Sequence, residues 1–171
     1  MYHAIFLEDL LDLLNLLAAY SGQIRAQIVR KITDKSAVML RWLRKLTHPD
    51  GRPAQFNDCT LDGAPHVAEL ATFASALGVR TEDLAATKSI LLASSGYARL
   101  QEGSAVLLAD VGRAGPDYMP GHAHADALSF ELSLWGERVF VNGGTSTYGI
   151  SSDRLRERGT AAVFAFGDGA C

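Results

Sequence analysis

Two histidines and an aspartate alternate with small residues over positions 121–126, which read GHAHAD. In an extended strand, side chains at positions i, i+2 and i+4 lie on the same face. His122, His124 and Asp126 would then point in one direction. Two imidazoles and a carboxylate on one face could bind a divalent metal, or could form a general base held in place by a partner. A polar strand edge with hydrogen-bonded histidines is the structural alternative, and the pattern alone does not separate the two.

The segments around this motif have the composition of an antiparallel sheet. Short, partly alternating apolar runs are separated by turn residues, which is typical of hairpins. The predicted strands are residues 89–93, 97–101, 105–111, 127–135 and 138–141, with a tight turn at Gly136 and Glu137. A Gly/Pro-containing loop over residues 112–121 leads into the histidine motif.

The first half of the chain predicts helices. In residues 2–20, leucines and other aliphatic side chains cover most of the helix circumference and leave a narrow polar stripe. A helix that is apolar on nearly all sides is normally buried among other helices, and this chain supplies few of them. Residues 23–46 predict a second, amphipathic helix, which residues 33–36 could split, and residues 65–77 predict a third that Gly78 ends.

Helices followed by strands, without alternation of the two, indicate an α+β chain. We expect a helical domain over residues 1–87 and a strand domain over residues 88–171. Residues 48–53 predict a turn and residues 54–62 a loop between the second and third helices.

Composition and charge exclude several classes of protein. The chain has 171 residues, 48% of them hydrophobic, which is enough to bury a core. Its net charge of −3 gives no general basic surface for nucleic acid. Cys59 and Cys171 lie too far apart to form a disulfide framework or a Cys-x-x-Cys metal pair. Acidic residues interrupt the apolar N-terminal segment, so it predicts neither a signal peptide nor a membrane span.

Several short motifs occur along the chain in an order that characterises one family. They are YHA at 2–4, LEDLLDL at 7–13, WLR at 42–44, HPDG at 48–51, FND at 56–58, GHAHADALSF at 121–130 and VNGGTSTYG at 141–149. Together they resemble the bacterial heparinase II/III-like polysaccharide lyases, a group that includes alginate lyases. The resemblance covers residues 1 to about 162. The segment 121–130 is its most specific part.

The resemblance implies a particular architecture. Such proteins have an (α/α) toroid followed by a large antiparallel β-sandwich. This chain would then contain the C-terminal helices of the toroid and the first strands of the sandwich, and Met1 could be an internal methionine. Residues 163–171 depart from the family pattern, which favours a truncated or frame-shifted end.

The resemblance also implies a reaction, β-elimination of polysaccharides that contain uronic acids. A base removes the proton next to the carboxylate, an acid protonates the leaving oxygen, and the developing negative charge must be stabilised. Tyr2 matches the catalytic tyrosine and His122 a histidine that serves as a second base; a half-buried packing residue is the alternative for Tyr2. The family's residue that neutralises the carboxylate would lie before Met1, so we expect this chain alone to be weakly active or inactive.

Zinc is an optional cofactor in this family. His124 matches a zinc ligand found in some members, but Asn142 stands where those members have an aspartate. A third ligand, a histidine, has no counterpart in residues 163–171. Asp126 would then orient a histidine rather than bind metal. A tetrahedral site needs three or four protein ligands, so these departures argue against zinc.

His3, Asn57 and Asp58 are the candidate substrate-binding residues. A solvated helix-end histidine and a capped turn are the respective alternatives. The expected partner is an acidic polysaccharide, with no nucleic acid and no membrane span. Two other functions stay open: a non-catalytic polysaccharide-binding or structural sandwich, with or without zinc, and a small cupin-like metalloenzyme. The compartment (bacterial periplasm, cell envelope or cytoplasm) and the oligomeric state are left open by the sequence.

Overall fold

The structure is a computed structural model that describes residues 1–20, 25–57, 59–60, 63–81, 89–112, 128–143, 152–153 and 156. The chain divides into two compact units. A helical unit comprises Met1–Pro53 and Thr60–Thr87, and a sheet unit comprises Ala54–Cys59 and Lys88–Cys171. The sheet unit therefore includes a short segment that lies within the helical half of the sequence. The assignment of residues 1–87 to a toroid and of residues 88–171 to a sandwich stays a prediction.

In its described part, the helical unit contains the three expected helices: α1 (Tyr2–Ala19), α2 (Ala26–Lys45) and α3 (Val67–Ala76). Residues 33–36 do not split α2, so that alternative is wrong. The hydroxyls of Thr33 and Ser36 donate to the carbonyls of Val29 and Ile32, at 3.0 and 2.9 Å. These polar side chains are satisfied within the helix and do not interrupt it.

The helices pack around aliphatic side chains. Leu7 and Leu11 of α1 and Leu40 of α2 are fully buried, and Leu70 of α3 is almost so. The opposite side of α1 is exposed, with Phe6 56% and Leu16 55% accessible. Helix α1 is therefore not buried on all sides, although apolar side chains cover most of its circumference. Among the described residues, no helix is both long enough and apolar enough to cross a membrane.

The end of α3 follows from its glycine. Gly78 has φ of +73°, a left-handed conformation that costs a glycine little. The N–H of Val79 donates to the carbonyl of Ala74 at 2.9 Å, and the N–H of Gly78 donates to that of Ser75 at 3.0 Å. This is the Schellman arrangement, which satisfies the last carbonyls of a helix. The predicted stop at Gly78 is confirmed.

The described part of the sheet unit contains five antiparallel strands in the order β1-β2-β3-β4-β5. They are β1 (Ile90–Leu92), β2 (Tyr97–Glu102), β3 (Ala105–Asp110), β4 (Phe130–Leu134) and β5 (Glu137–Phe140). Each strand pairs with the next along the chain, as successive hairpins do. The α+β class and the five predicted strand positions are thus confirmed.

Two details of the predicted hairpin β4–β5 are wrong. The turn is formed by Trp135 and Gly136, with φ of +52° and +95°, and Glu137 already begins β5. Two successive positive φ values are the requirement of a type I′ turn, and tryptophan is not a residue from which that turn is predicted. In addition, β4 begins at Phe130 and not at residue 127, because Leu128 has φ of +63° and is not extended.

Candidate functional site

One face of the sheet buries polar side chains. The strand register pairs Arg99 with Leu108 and Leu108 with Glu131, so these three residues form one row across β2, β3 and β4. Arg99, Asp110, Glu131 and Ser133 are all buried. Burial lowers the pKa of Arg99 below its ordinary value, while its Nη2 donates to the side-chain oxygen of Gln101 at 2.9 Å. A buried charge is tolerated only with such partners, so this face is a hydrogen-bonded network.

Glu131 joins three segments of the sheet unit. Its Oε1 accepts hydrogen bonds from the backbone N–H groups of Gln55 and Asn142, each at 3.0 Å. Its Oε2 accepts one from Nη1 of Arg138 at 3.1 Å. The Glu131 side chain is 0% exposed and that of Arg138 10%. One buried carboxylate on β4 therefore holds Gln55, Arg138 of β5 and Asn142, which lies two residues after β5.

Asn57, a candidate substrate-binding residue, lies in the segment that Glu131 fixes. Its Nδ2 donates to the hydroxyl of Tyr97 at 3.0 Å, and the neighbouring Phe56 stacks on the Tyr97 ring with centroids 5.6 Å apart. Asn57 has φ of +54°, and asparagine tolerates this left-handed region better than most residues do. Asp58 lies outside the described residues. Contact of either residue with sugar stays a prediction.

A cavity of about 370 Å³ opens beside Asn57 and Tyr97. Asp110 also lines it, and its Oδ1 accepts a hydrogen bond from the N–H of Gly112 at 3.0 Å. A Cβ on Gly96 would stand 2.5 Å from the Cα of Gly112, so only glycine permits this approach of two backbone segments. The remaining lining residues are Ala93, Ser94 and Ser95.

Tyr2, the predicted catalytic tyrosine, is the first residue of α1 and is 55% exposed. This exposure fits a half-buried packing residue as well as a catalytic one, so both interpretations of Tyr2 stay predictions. His122, its predicted counterpart, lies outside the described residues. Whether the two side chains converge stays a prediction.

His3 is held against α2. Its Nε2 lies 3.0 Å from the carbonyl oxygen of Met39, and its ring lies 4.4 Å from that of Trp42 between centroids. Desolvation lowers the pKa of His3 below its ordinary value, and the hydrogen bond to Met39 opposes part of that shift. Since a carbonyl only accepts, the neutral ring carries its proton on Nε2. The alternative of a solvated helix-end histidine is wrong, and a role in substrate binding stays a prediction.

Asn142 offers little to a metal. Its backbone N–H donates to Glu131, and its Nδ2 donates to the hydroxyl of Ser129 at 3.3 Å. Zinc prefers thiolate, imidazole and carboxylate ligands to a neutral amide. The described residues contain no group of three side chains suited to a metal ion. His124 and Asp126 lie outside those residues, so zinc binding through His124 stays a prediction and no chemistry is derived through it.

Four residues of this site did not follow from sequence motifs: Tyr97, Asp110, Glu131 and Arg138. The sequence does contain a signal for the pair Glu131 and Arg138. These residues have opposite charges and stand on the two strands of a tight hairpin, where cross-strand side chains can pair. Tyr97 and Asp110 are register partners at the start of β2 and the end of β3. The predicted β2–β3 hairpin brings Tyr97 and Asp110 close together, but it does not indicate that a cavity opens beside them.

Comparison with known proteins finds a family whose sequence profile matches part of this chain. The sequence profile of the family described as "Heparinase II/III-like, C-terminal" matches residues 85–162. A search of curated protein sequences finds no match.

Solved structures share the fold. The chain is similar to heparan sulfate lyase HepC from Pedobacter heparinus, with a TM-score of 0.62 and 16% identity over 94% of this chain and 27% of that one. It is also similar to a heparinase III, with a TM-score of 0.64 and 16% identity over 94% of this chain and 27% of that one. The chain thus spans 27% of the length of each of these two structures.

These findings agree with the expected resemblance. The profile match begins before the first strand of the sheet and includes the GHAHAD motif. Over this segment, the chain is similar to the heparinase II/III-like family.

Proposed function

We propose that this chain is part of a polysaccharide lyase that cleaves uronic-acid-containing polysaccharides by β-elimination. The observation that carries the proposal is the family match over residues 85–162, which includes His122 and its neighbours. The proposal extends to the architecture, with residues 1–87 as toroid helices and residues 88–171 as sandwich strands. The acidic polysaccharide is the proposed partner.

The proposed chemistry uses two groups. His122 or the Tyr2 oxygen takes the proton from the sugar carbon next to the carboxylate. The electron pair of that C–H bond forms a carbon–carbon double bond as the neighbouring C–O bond breaks. The Tyr2 hydroxyl gives its proton to the leaving glycosidic oxygen, so charge and atoms balance. The 55% exposure of Tyr2 supports this role, because an acid must reach the sugar.

The assay follows the ultraviolet absorbance of the unsaturated product on heparan sulfate and on alginate. We expect slow but measurable turnover by this chain on one of them. Tyr2→Phe and His122→Ala should each lower the rate by about 10²-fold or more, the usual contribution of a general acid or base.

Tyr20→Phe provides the matched control. Tyr20 follows the same helix at its other end and is 57% exposed, so loss of its hydroxyl should not change the rate. Rates that Tyr2→Phe and His122→Ala leave unchanged would contradict the proposal, and rapid turnover would contradict the expectation that this chain alone is weakly active or inactive. Binding of either polysaccharide without turnover would favour the non-catalytic binding module.

A further inference from the structure

The sheet has an apolar side opposite its polar one. Residues that pair across antiparallel strands point to the same side of a sheet, so the register arranges these side chains in rows. The first row contains Leu91, Ala98, Ala109 and Phe130, and the second row contains Leu100, Leu107, Leu132 and Phe140. The rows are two residues apart along a strand, so both lie on one side of the sheet. We call these eight side chains the apolar face.

The apolar face is accessible. Its most exposed members are Leu91 at 62%, Leu100 at 53%, Phe130 at 45% and Phe140 at 54%. At roughly 200 Å² of surface for each large apolar side chain, these four offer about 400 Å². Soluble monomers rarely expose a contiguous apolar patch of this size unless something binds there. The apolar face is therefore an interaction surface.

The chemistry of the apolar face determines what can cover it. Neither row contains a polar or charged side chain, so an acidic polysaccharide would find no side-chain hydrogen-bond donor in them. Small and large side chains are separated instead. Alanines occupy the middle of the first row, and leucines occupy the middle of the second. A sheet covers such a surface when its own large side chains fill the hollows, with the two sheets about 10 Å apart.

Two-fold symmetry makes the apolar face complementary to itself. An axis that lies between the two rows and runs parallel to them places the second row of each copy over the first row of the other. Leu100 and Leu107 of one copy then lie over Ala98 and Ala109 of the other. Both copies use the same surface, so the contact closes at two copies.

Charge favours this axis over the other one in the plane of the sheet. The row beyond Leu100 begins with Glu102 on β2 and ends with Glu137 on β5, and both glutamates are exposed. An axis parallel to the strands would bring all four glutamates of a dimer to the same end of the interface, where like charges disfavour association. The axis parallel to the rows moves the two acidic rows to opposite ends.

We propose that the apolar face binds a second copy of this chain, so that two sheets pack face to face in a symmetric dimer. Counting its partly buried members as well, two copies would bury about 1,000 Å² in total, near the lower limit of specific interfaces. The dimer is therefore weak, with a dissociation constant on the order of 10 µM. This proposal does not rest on the proposed lyase function.

Sedimentation equilibrium of the full chain, from about 1 µM to about 200 µM, measures the association. We expect monomer to convert to dimer, with no larger species. Leu100→Lys places a charge within the second row and should weaken the dimer about tenfold or more, because the buried charge has no partner. Leu16→Lys is the matched control. Leu16 is equally exposed, at 55%, but lies on α1 in the helical unit, so the dissociation constant should not change.

Reversal of one charge tests the direction of the axis. Glu137→Lys should change the dissociation constant by less than about twofold, because the proposed axis keeps the acidic rows apart. If the axis ran parallel to the strands, the substitution would relieve repulsion between the glutamates and tighten the dimer. Tighter association of this variant would therefore overturn the proposed arrangement.

Three results would overturn the dimer itself. They are a chain that stays monomeric up to about 200 µM, a dimer that Leu16→Lys weakens as much as Leu100→Lys, and species that grow beyond two copies. The first would mean that another part of the same polypeptide covers the apolar face. If circular dichroism shows that Leu100→Lys is unfolded, Leu91→Lys on the edge strand β1 decides. An unchanged dissociation constant in that variant would refute the role of the apolar face.

Discussion

The two units of the chain differ in how many charged side chains they bury beside their apolar ones. In the helical unit the fully buried side chains include Leu7, Leu11 and Leu40. In the sheet unit Glu131 and Ser133 are equally inaccessible, and Arg99 and Asp110 nearly so. The cavities follow the same division. One of about 590 Å³ in the helical unit is lined mainly by apolar side chains, whereas that of about 370 Å³ in the sheet unit is mainly polar.

The two interiors differ in how strictly they fix the positions of their side chains. Apolar contacts are non-directional and accept many arrangements of similar volume. Hydrogen bonds to a buried carboxylate have preferred distances and angles, and a missing partner is costly. The sheet unit can therefore hold groups such as Asn57 and Tyr97 in one geometry, which a binding site requires. The helical unit supplies stable packing and presents Tyr2 at its surface.

The largest effect is expected from Glu131→Ala. The substitution leaves the Arg138 guanidinium and two backbone N–H groups without their shared acceptor, and should lower the free energy of unfolding by ~3–5 kcal/mol. Urea denaturation measures this loss. Glu137→Ala, on the exposed side of the same hairpin, should stay within ~0.5 kcal/mol. Equal losses of unfolding free energy in the two variants would mean that the buried Glu131 carboxylate stabilises the protein no more than a surface charge does.

Leu40→Ala makes the corresponding change in the apolar interior. Leu40 is 0% exposed, and its truncation should cost ~3 kcal/mol through lost burial and the cavity that remains. Val38→Ala, two residues earlier on α2 and 49% exposed, serves as the control and should cost little. Hydrogen exchange should show lost protection in the helical unit. Loss confined to the sheet amides would contradict the division of the chain into two interiors.

Gly96→Ala tests the backbone contact at the cavity wall. Gly96 has φ of +73°, and its added Cβ would stand 2.5 Å from the Cα of Gly112. Strain and overlap together should cost ~2 kcal/mol or more. Gly103→Ala separates the two causes: φ there is +54° but nothing lies within 4 Å, so strain alone, ~1 kcal/mol, is expected. Thermal denaturation that ranks the two variants equally would refute the close approach.

The smallest expected effect is a pH dependence of the helical unit. The folded-state pKa of His3 is lowered from 6.5, so the unfolded chain takes up the proton first as the pH falls. His3 therefore contributes stability that is complete above about pH 6.5 and is lost as the pH falls through the folded-state pKa. His3→Phe keeps a ring beside Trp42 but does not titrate. The urea midpoint of wild type should fall more than that of the variant between about pH 7.5 and pH 5.5. A urea midpoint that changes equally with pH in wild type and variant would refute the prediction.

The parts that sequence predicted well depend on near neighbours. Helical periodicity located α1 to α3, and Gly78 located the end of α3, because both signals act within a few residues. The alternation of apolar and polar residues located β4, but it did not show which face of that strand is buried. Hydrophobicity favours burial of the side with Phe130, yet Phe130 is 45% exposed and Glu131 is fully buried.

The candidate site was less predictable because its contacts join distant positions. Gln55 and Glu131 are 76 positions apart, and Asn57 and Tyr97 are 40 apart. No local pattern encodes such a pair. The Trp135-Gly136 turn was missed for another reason: register with β4 imposes positive φ on a residue that rarely adopts it.

The inclusion of residues 54–59 in the sheet unit limits how the chain can be divided. The polypeptide leaves the helical unit, enters the sheet unit, returns, and leaves again. No single cut separates the two units. A clone that starts at residue 88 would keep all five described strands but lose Gln55, the Phe56 ring that stacks on Tyr97, and Asn57. A protease cut between residues 60 and 87 would leave each product with part of both units.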